Sequence, residues 1–136
     1  MKIDGACHCG KITYEAEVDP EGSRLCHCTD CQKIGGTAFR MVVPTIAGEF
    51  RVTSGEPKIY YKIAESGNKR AQAFCADCGT HIYASNVGEG PLIYNVRTGT
   101  VTQRDQLPPK FHIWYRSAQP WLKDMDHLKK FEKQAH

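Results

Sequence analysis

The chain has 136 residues, which predicts one domain over residues 1–136, and its apolar fraction of 40% is ordinary for a globular protein. Its formal net charge of +3 is too small and too scattered to indicate a nucleic-acid partner, and thiolates bound to metal would reduce it further. The N-terminus lacks the apolar core of a signal peptide, and no stretch approaches the roughly 20 apolar residues of a membrane helix. We therefore expect a cytoplasmic protein without a membrane partner, in which cysteines stay reduced.

Short segments rich in β-branched and aromatic residues recur along the chain, with glycine and proline between them. The clearest is residues 11–18, where Ile12, Tyr14, Ala16 and Val18 alternate with polar residues as in a half-buried strand. The other predicted strands are residues 38–43, 50–54, 58–62, 70–74, 80–84, 92–96 and 111–115. This pattern predicts a mainly β fold of antiparallel sheets, as a sandwich, a barrel or a stack.

The C-terminal segment has a different period. Trp121, Met125, Leu128 and Phe131 fall at helical spacing with lysine and aspartate between them, and Pro120 suits a first helical turn. This predicts one short C-terminal helix whose apolar side caps the sheet. The alternative is a lid or a contact in a homodimer.

All seven cysteines lie in three short clusters. Two cysteines one or two residues apart can supply two corners of the tetrahedron of soft ligands that Zn²⁺ prefers. In a reducing compartment such clusters indicate metal or redox chemistry rather than disulfides. The clusters are Cys7-His8-Cys9-Gly10, Cys26-His27-Cys28-Thr29-Asp30-Cys31 and Cys75-Ala76-Asp77-Cys78-Gly79.

The seven cysteines divide into four and three. The first and third clusters each have a glycine directly after the second cysteine, which helps to close a chelating turn. The ligands predicted for a closed structural zinc site are therefore Cys7, Cys9, Cys75 and Cys78. The middle cluster is left with three ligands, as in a zinc site that keeps one position for substrate. Those three ligands are Cys26, Cys28 and Cys31.

Three alternatives stay open for the middle cluster. In the first, His27, His8 or a distant histidine completes it as a second structural site. In the second, its cysteines are reactive thiols that oxidise when metal is absent. In the third, the protein is a two-pair zinc ribbon with three spare thiols.

Taken together, these motifs resemble the glutathione-dependent formaldehyde-activating family, which also includes a vertebrate centromere protein. The matching segments are Cys7-x-Cys9-Gly10, Cys26-His27-Cys28-x-x-Cys31-x-Lys33, Phe74-Cys75-x-x-Cys78-Gly79-Thr80, Phe111-His112-Ile113-Trp114 and Pro120-Trp121. The resemblance implies stacked antiparallel sheets of the Mss4-like kind, with a structural zinc at the first and third clusters and a second zinc at the middle one. It also implies a carbon–sulfur lyase activity that joins glutathione to formaldehyde, giving S-(hydroxymethyl)glutathione.

An open three-cysteine zinc predicts an enzyme or thiol carrier for a glutathione-like thiol and a small aldehyde. A substrate thiol at the vacant corner loses its proton and then attacks the aldehyde. Because three thiolates already donate strongly, this zinc would orient a thiol rather than generate hydroxide. The predicted catalytic residues are Cys26, Cys28, Cys31 and His27, the histidine as a proton shuttle or, alternatively, a solvent-facing loop residue. The competing hypothesis is a non-enzymatic, zinc-stabilised module that binds protein.

Glutathione carries two carboxylates, so basic residues are expected along its cleft. The candidates, none distinguished by sequence from an ordinary surface charge, are Lys33, Arg40, Arg97 and Arg116. Two other histidines are expected to be structural. His8 lies between two ligands of the closed site, and His112 lies in an apolar strand, where we expect a satisfied core histidine.

Overall fold

The structure, a computed structural model, describes residues 1–135. Over that range it contains nine β-strands, five short 3₁₀ turns and one α-helix, α1, at Thr29–Gly35. The strands are β1 Lys2–Ala6, β2 Thr13–Val18, β3 Arg24–Cys26, β4 Arg40–Ser54, β5 Lys58–Ile63, β6 Lys69–Phe74, β7 His81–Asn86, β8 Tyr94–Arg97 and β9 Phe111–Ile113. The 3₁₀ turns are Pro20–Gly22, Thr98–Thr100, Arg104–Gln106, Tyr115–Ser117 and Pro120–Lys123. The predicted mainly β, antiparallel fold is confirmed, and residues 1–135 contain one short α-helix.

The long strand β4 connects the whole arrangement. The strand order is β1-β2-β4-β8-β7-β6-β5, and neighbouring strands run antiparallel. The first residues of β4 pair with β3 and β8, whereas the later residues pair with β2. Strand β9 lies parallel to β3 on its other side. The predicted strands at residues 38–43 and 50–54 are therefore two parts of one strand.

The core lies along the inner faces of β2, β4, β7 and β8. Tyr14 and Val18 of β2 are buried, as the alternation in the sequence predicts. The Tyr14 ring stacks on Phe50 with ring centroids 5.3 Å apart. Its hydroxyl lies 2.7 Å from the Thr100 hydroxyl, which satisfies a polar group that would be costly to bury alone. Leu107 closes the core from the loop after β8.

The predicted C-terminal helix is wrong. The segment has a 3₁₀ turn at Pro120–Lys123 and only turns and irregular backbone from there to residue 135. The four apolar residues that set its helical period are each about half exposed. An isolated helix shorter than about 12–15 residues is marginal in water, so helical spacing alone does not stabilise one without a surface to pack against. The one α-helix of residues 1–135 instead begins inside the middle cysteine cluster and continues to Gly35.

The short elements β1, β3 and α1 were not predicted from sequence. Strand β1 contains Gly5 and β3 has only three residues, so neither shows a clear period. Helix α1 has seven residues, and it ends at Gly36, whose φ of 67° is the left-handed conformation that commonly terminates a helix. Within residues 1–135, no helix combines the length and the apolar composition that a bilayer-spanning segment requires.

Candidate metal centre

Two tight turns bring the first and third cysteine clusters together. One turn follows β1 and the other connects β6 to β7, and both carry glycines with positive φ. Gly10, with φ 81°, donates its N–H to the Cys7 carbonyl, and Gly79, with φ 77°, donates to the Cys75 carbonyl. These are the glycines that sequence reasoning placed after each pair. The four-cysteine site comprises Cys7, Cys9, Cys75 and Cys78.

The four sulfurs have the spacing of a tetrahedral metal site. All four lie within 4.8 Å of one another, and the Cys9 sulfur is 3.6 Å from that of Cys7 and 3.8 Å from that of Cys75. Zn–S bonds of about 2.3 Å at tetrahedral corners place sulfurs about 3.8 Å apart. All seven cysteines are free thiols, so no disulfide competes for them. The donor set therefore fits a closed zinc site.

Hydrogen bonds favour the thiolate form of Cys7 and Cys78 in the four-cysteine site. At Cys9 a backbone hydrogen bond acts in the same direction, but burial and the neighbouring sulfurs raise the pKa to about 11. The Thr80 hydroxyl lies 3.2 Å from the Cys78 sulfur. This contact, with backbone N–H groups as further causes, lowers the pKa of Cys78 to about 5. The Ile12 N–H donates to the buried Cys7 sulfur at 3.3 Å. Thiolates are the form that binds metal, so the contacts around Cys7 and Cys78 favour the metal-binding form of these two ligands.

The middle cluster forms a separate three-cysteine site where β3 meets α1. Cys26 ends β3, Cys28 is the N-cap of α1, and Cys31 lies in its first turn. Their sulfurs lie within 4.8 Å of one another, with those of Cys26 and Cys31 3.2 Å apart. The Cys28 sulfur accepts the Cys31 N–H at 3.2 Å, so one side chain caps the helix and faces the site.

Charge and hydrogen bonding polarise the thiols of the three-cysteine site. The sulfurs of Cys26 and Cys28 lower the pKa of Cys31, and the charge of the Arg40 guanidinium lowers it further. The Arg40 Nη2 donates to the Cys31 sulfur at 3.1 Å. Hydrogen bonding with the sulfurs of Cys28 and Cys31, together with burial, raises the pKa of Cys26. The site thus fits a cation held by three sulfurs, with a guanidinium beside it.

The three-cysteine site opens on a cavity of about 580 Å³. This volume lies in the range of small-molecule binding sites, about 300–1,000 Å³. The two acidic side chains among its lining residues are each close to a basic one. Asp30 lies 2.9 Å from Lys62, and Glu65 lies 3.8 Å from Arg116. The remaining basic residues of the lining are Arg24, Arg40, Arg70 and Arg97, which we call the four cavity arginines.

Amide side chains hold the four cavity arginines in place. The Gln72 Oε1 accepts from Arg40 at 3.1 Å and from Arg97 at 3.0 Å. Asn95 accepts from Arg24, and Asn86 accepts from Arg70, both at 2.7 Å. Burial and the nearby charge of Arg40 lower the pKa of Arg97 to about 9. Within residues 1–135, the structure thus gathers positive charge without placing a carboxylate in contact with any of the four.

Three of the four basic residues proposed from sequence line this cavity. They are Arg40, Arg97 and Arg116, whereas Lys33 is exposed on α1 and does not. Sequence reasoning missed Arg24 and Arg70. A signal for them exists, because Arg24 lies two residues before Cys26 and Arg70 two residues before Gln72. In a strand, such pairs share one face.

The structure contradicts two of the alternatives offered for the histidines, since His27 is not solvent-facing and His112 is not in the core. His27, offered alternatively as a solvent-facing residue, is 1% exposed, and its Nε2 lies 2.8 Å from the Nδ1 of His112. His112 was expected in the core but is exposed, because β9 is an edge strand. His8 is exposed, and its backbone N–H donates to Thr80. In the part of the chain described, no histidine nitrogen joins either cysteine group.

The fold and the two groups define a β protein with a four-thiol site at the edge of its core and a three-thiol site at a basic cavity. Residues 2–117 match the family described as glutathione-dependent formaldehyde-activating enzyme, and the chain belongs to that family. A crystal structure of a Rhodobacter sphaeroides protein, a structural genomics target, has a similar fold. It is 22% identical, with a TM-score of 0.58, and the match covers 79% of this chain and 98% of that chain.

Proposed function

We propose that this protein binds a glutathione-type thiol at the three-cysteine site and adds it to a small aldehyde. The observation that carries the proposal is the position of three mutually close sulfurs at the wall of a basic cavity. A zinc ion held by Cys26, Cys28 and Cys31 would have a fourth position at which a substrate thiol ionises near neutral pH. The name of the family supports glutathione and formaldehyde as the first pair to test.

For this reaction, positioning of the two reactants should matter more than general acid–base catalysis. The thiolate sulfur forms a bond to the aldehyde carbon, the carbonyl π electrons move to oxygen, and that oxygen takes the proton that left the thiol. The product is a hemithioacetal, and nothing is oxidised or reduced. Holding both reactants in one cavity is therefore the main contribution expected of the protein.

The basic residues that line the cavity are suited to binding the carboxylates of the thiol substrate. Guanidinium groups bind carboxylates through paired, charge-assisted hydrogen bonds, and glutathione has two carboxylates. Arg24 and Arg70 are half-buried at the cavity, each with one hydrogen bond to a neutral amide. We propose that these two bind the carboxylates of the thiol substrate. Arg116, paired at 3.8 Å with Glu65, is more exposed.

The predicted role of His27 as a proton shuttle stays a prediction. Its ring packs against Phe39, His112 and Tyr115 and does not line the cavity. The three cysteines thus have direct access to a cavity substrate, whereas the histidine does not.

The test is titration of zinc-loaded protein with glutathione, comparing the wild type with Cys28→Ser. Serine is a good N-cap, so the variant keeps the start of α1 while removing one sulfur of the three-cysteine site. We expect no measurable heat of binding from Cys28→Ser and an unchanged far-UV spectrum. Lys33→Ala, on the same helix but outside the cavity, is the matched control and should bind like the wild type. Normal binding by Cys28→Ser contradicts the proposal.

A non-enzymatic protein-binding module is the competing function, and metal content distinguishes the two. The enzyme should carry two zinc ions per chain, one of which becomes labile when glutathione is added. A module stabilised by the four-cysteine site alone should hold one tight zinc and show no response to thiols. Metal analysis after desalting, with and without glutathione, measures both quantities.

A further inference from the structure

Among the residues that the structure describes, no carboxylate contacts the four cavity arginines, so the cavity offers more guanidinium groups than the two carboxylates of glutathione need. Lys62 and Arg116 have acidic neighbours, but the hydrogen-bond partners of the four cavity arginines are amides, a backbone carbonyl and the Cys31 sulfur. Glutathione offers two carboxylates and one ammonium group. Two arginines suffice for those carboxylates, which leaves two guanidinium groups without an anionic partner from the thiol substrate.

Arg40 and Arg97 are the two most buried of the four. They are 7% and 8% exposed, and both donate to the same oxygen, the Gln72 Oε1. Across residues 1–135, the Nε of each is buried without a hydrogen-bond partner. Two buried like charges with unsatisfied donors are costly, and a bound oxyanion would relieve that cost. We call these two residues the arginine pair.

The arginine pair adjoins the reacting centre. Arg40 Nη2 lies 3.1 Å from the Cys31 sulfur, and charge-assisted hydrogen bonds from guanidinium to carboxylate are about 2.7–2.9 Å long. An anion on this pair therefore lies beside the three-cysteine site. Formaldehyde carries no charge and gains nothing from such a pair. An aldehyde whose carboxylate is one bond from its carbonyl carbon would be held with that carbon near the three sulfurs.

We propose that the arginine pair binds the carboxylate of the carbonyl substrate, which is then a small 2-oxo acid with an aldehyde group. The inference rests on the proposed thiol addition and names its second substrate class. The thiolate sulfur attacks the aldehyde carbon, the carbonyl electrons move to oxygen, and that oxygen takes the thiol proton. The carboxylate remains on Arg40 and Arg97 throughout and is neither made nor broken.

The experiment compares aldehydes on zinc-loaded wild-type protein at one fixed glutathione concentration. Glyoxylate is the charged probe, glycolaldehyde is a neutral probe of similar size, and formaldehyde is the smallest neutral probe. Initial rates of hemithioacetal formation, corrected for the uncatalysed reaction, give kcat/KM for each aldehyde. We expect kcat/KM for glyoxylate to exceed that for either neutral aldehyde by about tenfold or more. A factor of about ten is the smallest effect expected from one hydrogen bond to a charged group.

The variant Arg97→Gln tests the site itself. The ratio of kcat/KM for glyoxylate to that for formaldehyde should fall about 10- to 100-fold, because one charge-assisted contact is lost. Arg97→Lys keeps the positive charge but lacks the paired N–H donors of a guanidinium group, so it should restore part of the ratio. Arg51→Gln, an exposed arginine on β4 outside the cavity, should leave the ratio unchanged.

A second measurement does not depend on the buried variants folding. Glycolate, a carboxylate without an aldehyde, should inhibit glyoxylate turnover by the wild type competitively, whereas ethylene glycol should not inhibit.

Three results would overturn the inference. If formaldehyde or glycolaldehyde matches glyoxylate in the wild type, the acidic substrate is wrong while the thiol addition stands. If glyoxylate is preferred but folded Arg97→Gln keeps the full ratio, the assignment to the arginine pair is wrong. If no aldehyde reacts faster than background, the proposed thiol addition fails, and the inference fails with it.

Discussion

The four-cysteine site should contribute about twice as much to stability as the three-cysteine site, because it joins distant parts of the chain. Cys9 and Cys75 are 66 residues apart in sequence, whereas Cys26 and Cys31 are 5 apart. In the chain-entropy treatment of a cross-link, closing loops of these lengths is worth about 4 and about 2 kcal/mol respectively. A domain of this size has about 5–15 kcal/mol of stability in total, so the first loss is severe.

The double variant Cys7→Ser/Cys9→Ser tests this difference. It removes both sulfurs of one turn, so the remaining pair cannot tie β1 to the β6–β7 turn. We expect zinc-loaded protein to lose at least about 4 kcal/mol of unfolding free energy, and more if the buried Cys7 side chain leaves unfilled space. The comparison variant, Cys28→Ser, should lose no more than about 2 kcal/mol.

Urea unfolding followed by circular dichroism, with linear extrapolation to water, measures both losses. Repeating it in excess chelator is the internal control, since the wild type should then fall towards the double variant. An equal or larger loss in Cys28→Ser, or an unchanged double variant, would show that the four-cysteine site is not the cross-link that holds this fold.

Two further substitutions test the core. Leu107→Ala removes a side chain that is 0% exposed, and urea unfolding should show a loss of about 2–5 kcal/mol; a near-neutral result would mean that the loop after β8 does not close the core. Tyr14→Phe loses the hydrogen bond to Thr100 and should cost about 1 kcal/mol near neutral pH. Burial raises the pKa of Tyr14 to about 12, so folding favours the protonated phenol, and its contribution is full below about pH 10, the pKa of an unfolded tyrosine. The stability difference between wild type and Tyr14→Phe should therefore shrink from pH 10 to pH 12, and a constant difference in urea unfolding would contradict this.

The cysteine groups were predictable because their chemistry is local. A pair of thiols one or two residues apart is a chelating unit whatever the rest of the chain does, and Gly10 and Gly79 mark the turns that close the units. Counting ligands then decided that the first and third clusters meet. The structure confirms the two groups of four and three.

The cavity was predictable only in part, because it depends on strand register. Arg24 pairs with Val42 on β4, and Val42 pairs with Arg97 on β8, so residues far apart in sequence reach one cavity. Arg40 lies opposite Cys26 in the same way. The sequence shows which residues lie on the same face of a strand as a given arginine. It does not show which other strand pairs with that strand.

One predicted helix is absent and one observed helix was not predicted, and both errors have the same cause. The segment from Trp121 to Phe131 has the period of an amphipathic helix, yet its apolar residues contact too little of the sheet to be buried. Helix α1 has no such period, yet it forms because Cys28 caps it and Cys31 is buried in its first turn. Tertiary contacts therefore outweigh spacing in short segments.

The two cysteine sites differ in the way that their proposed roles, one in stability and one in substrate binding, require. The four-cysteine site lies in two turns, and its residues Cys7 and Cys75 belong to the hydrophobic core. A substitution at either residue therefore alters the packing of the core. The three-cysteine site lies at a strand–helix junction against a cavity, where Cys28 is half-buried and helix α1 packs mainly on the start of β4. A ligand entering that cavity displaces no core side chain. Substitution of the half-buried Cys28 should therefore change binding with less loss of stability than substitution of Cys7 or Cys75, which should mainly reduce stability.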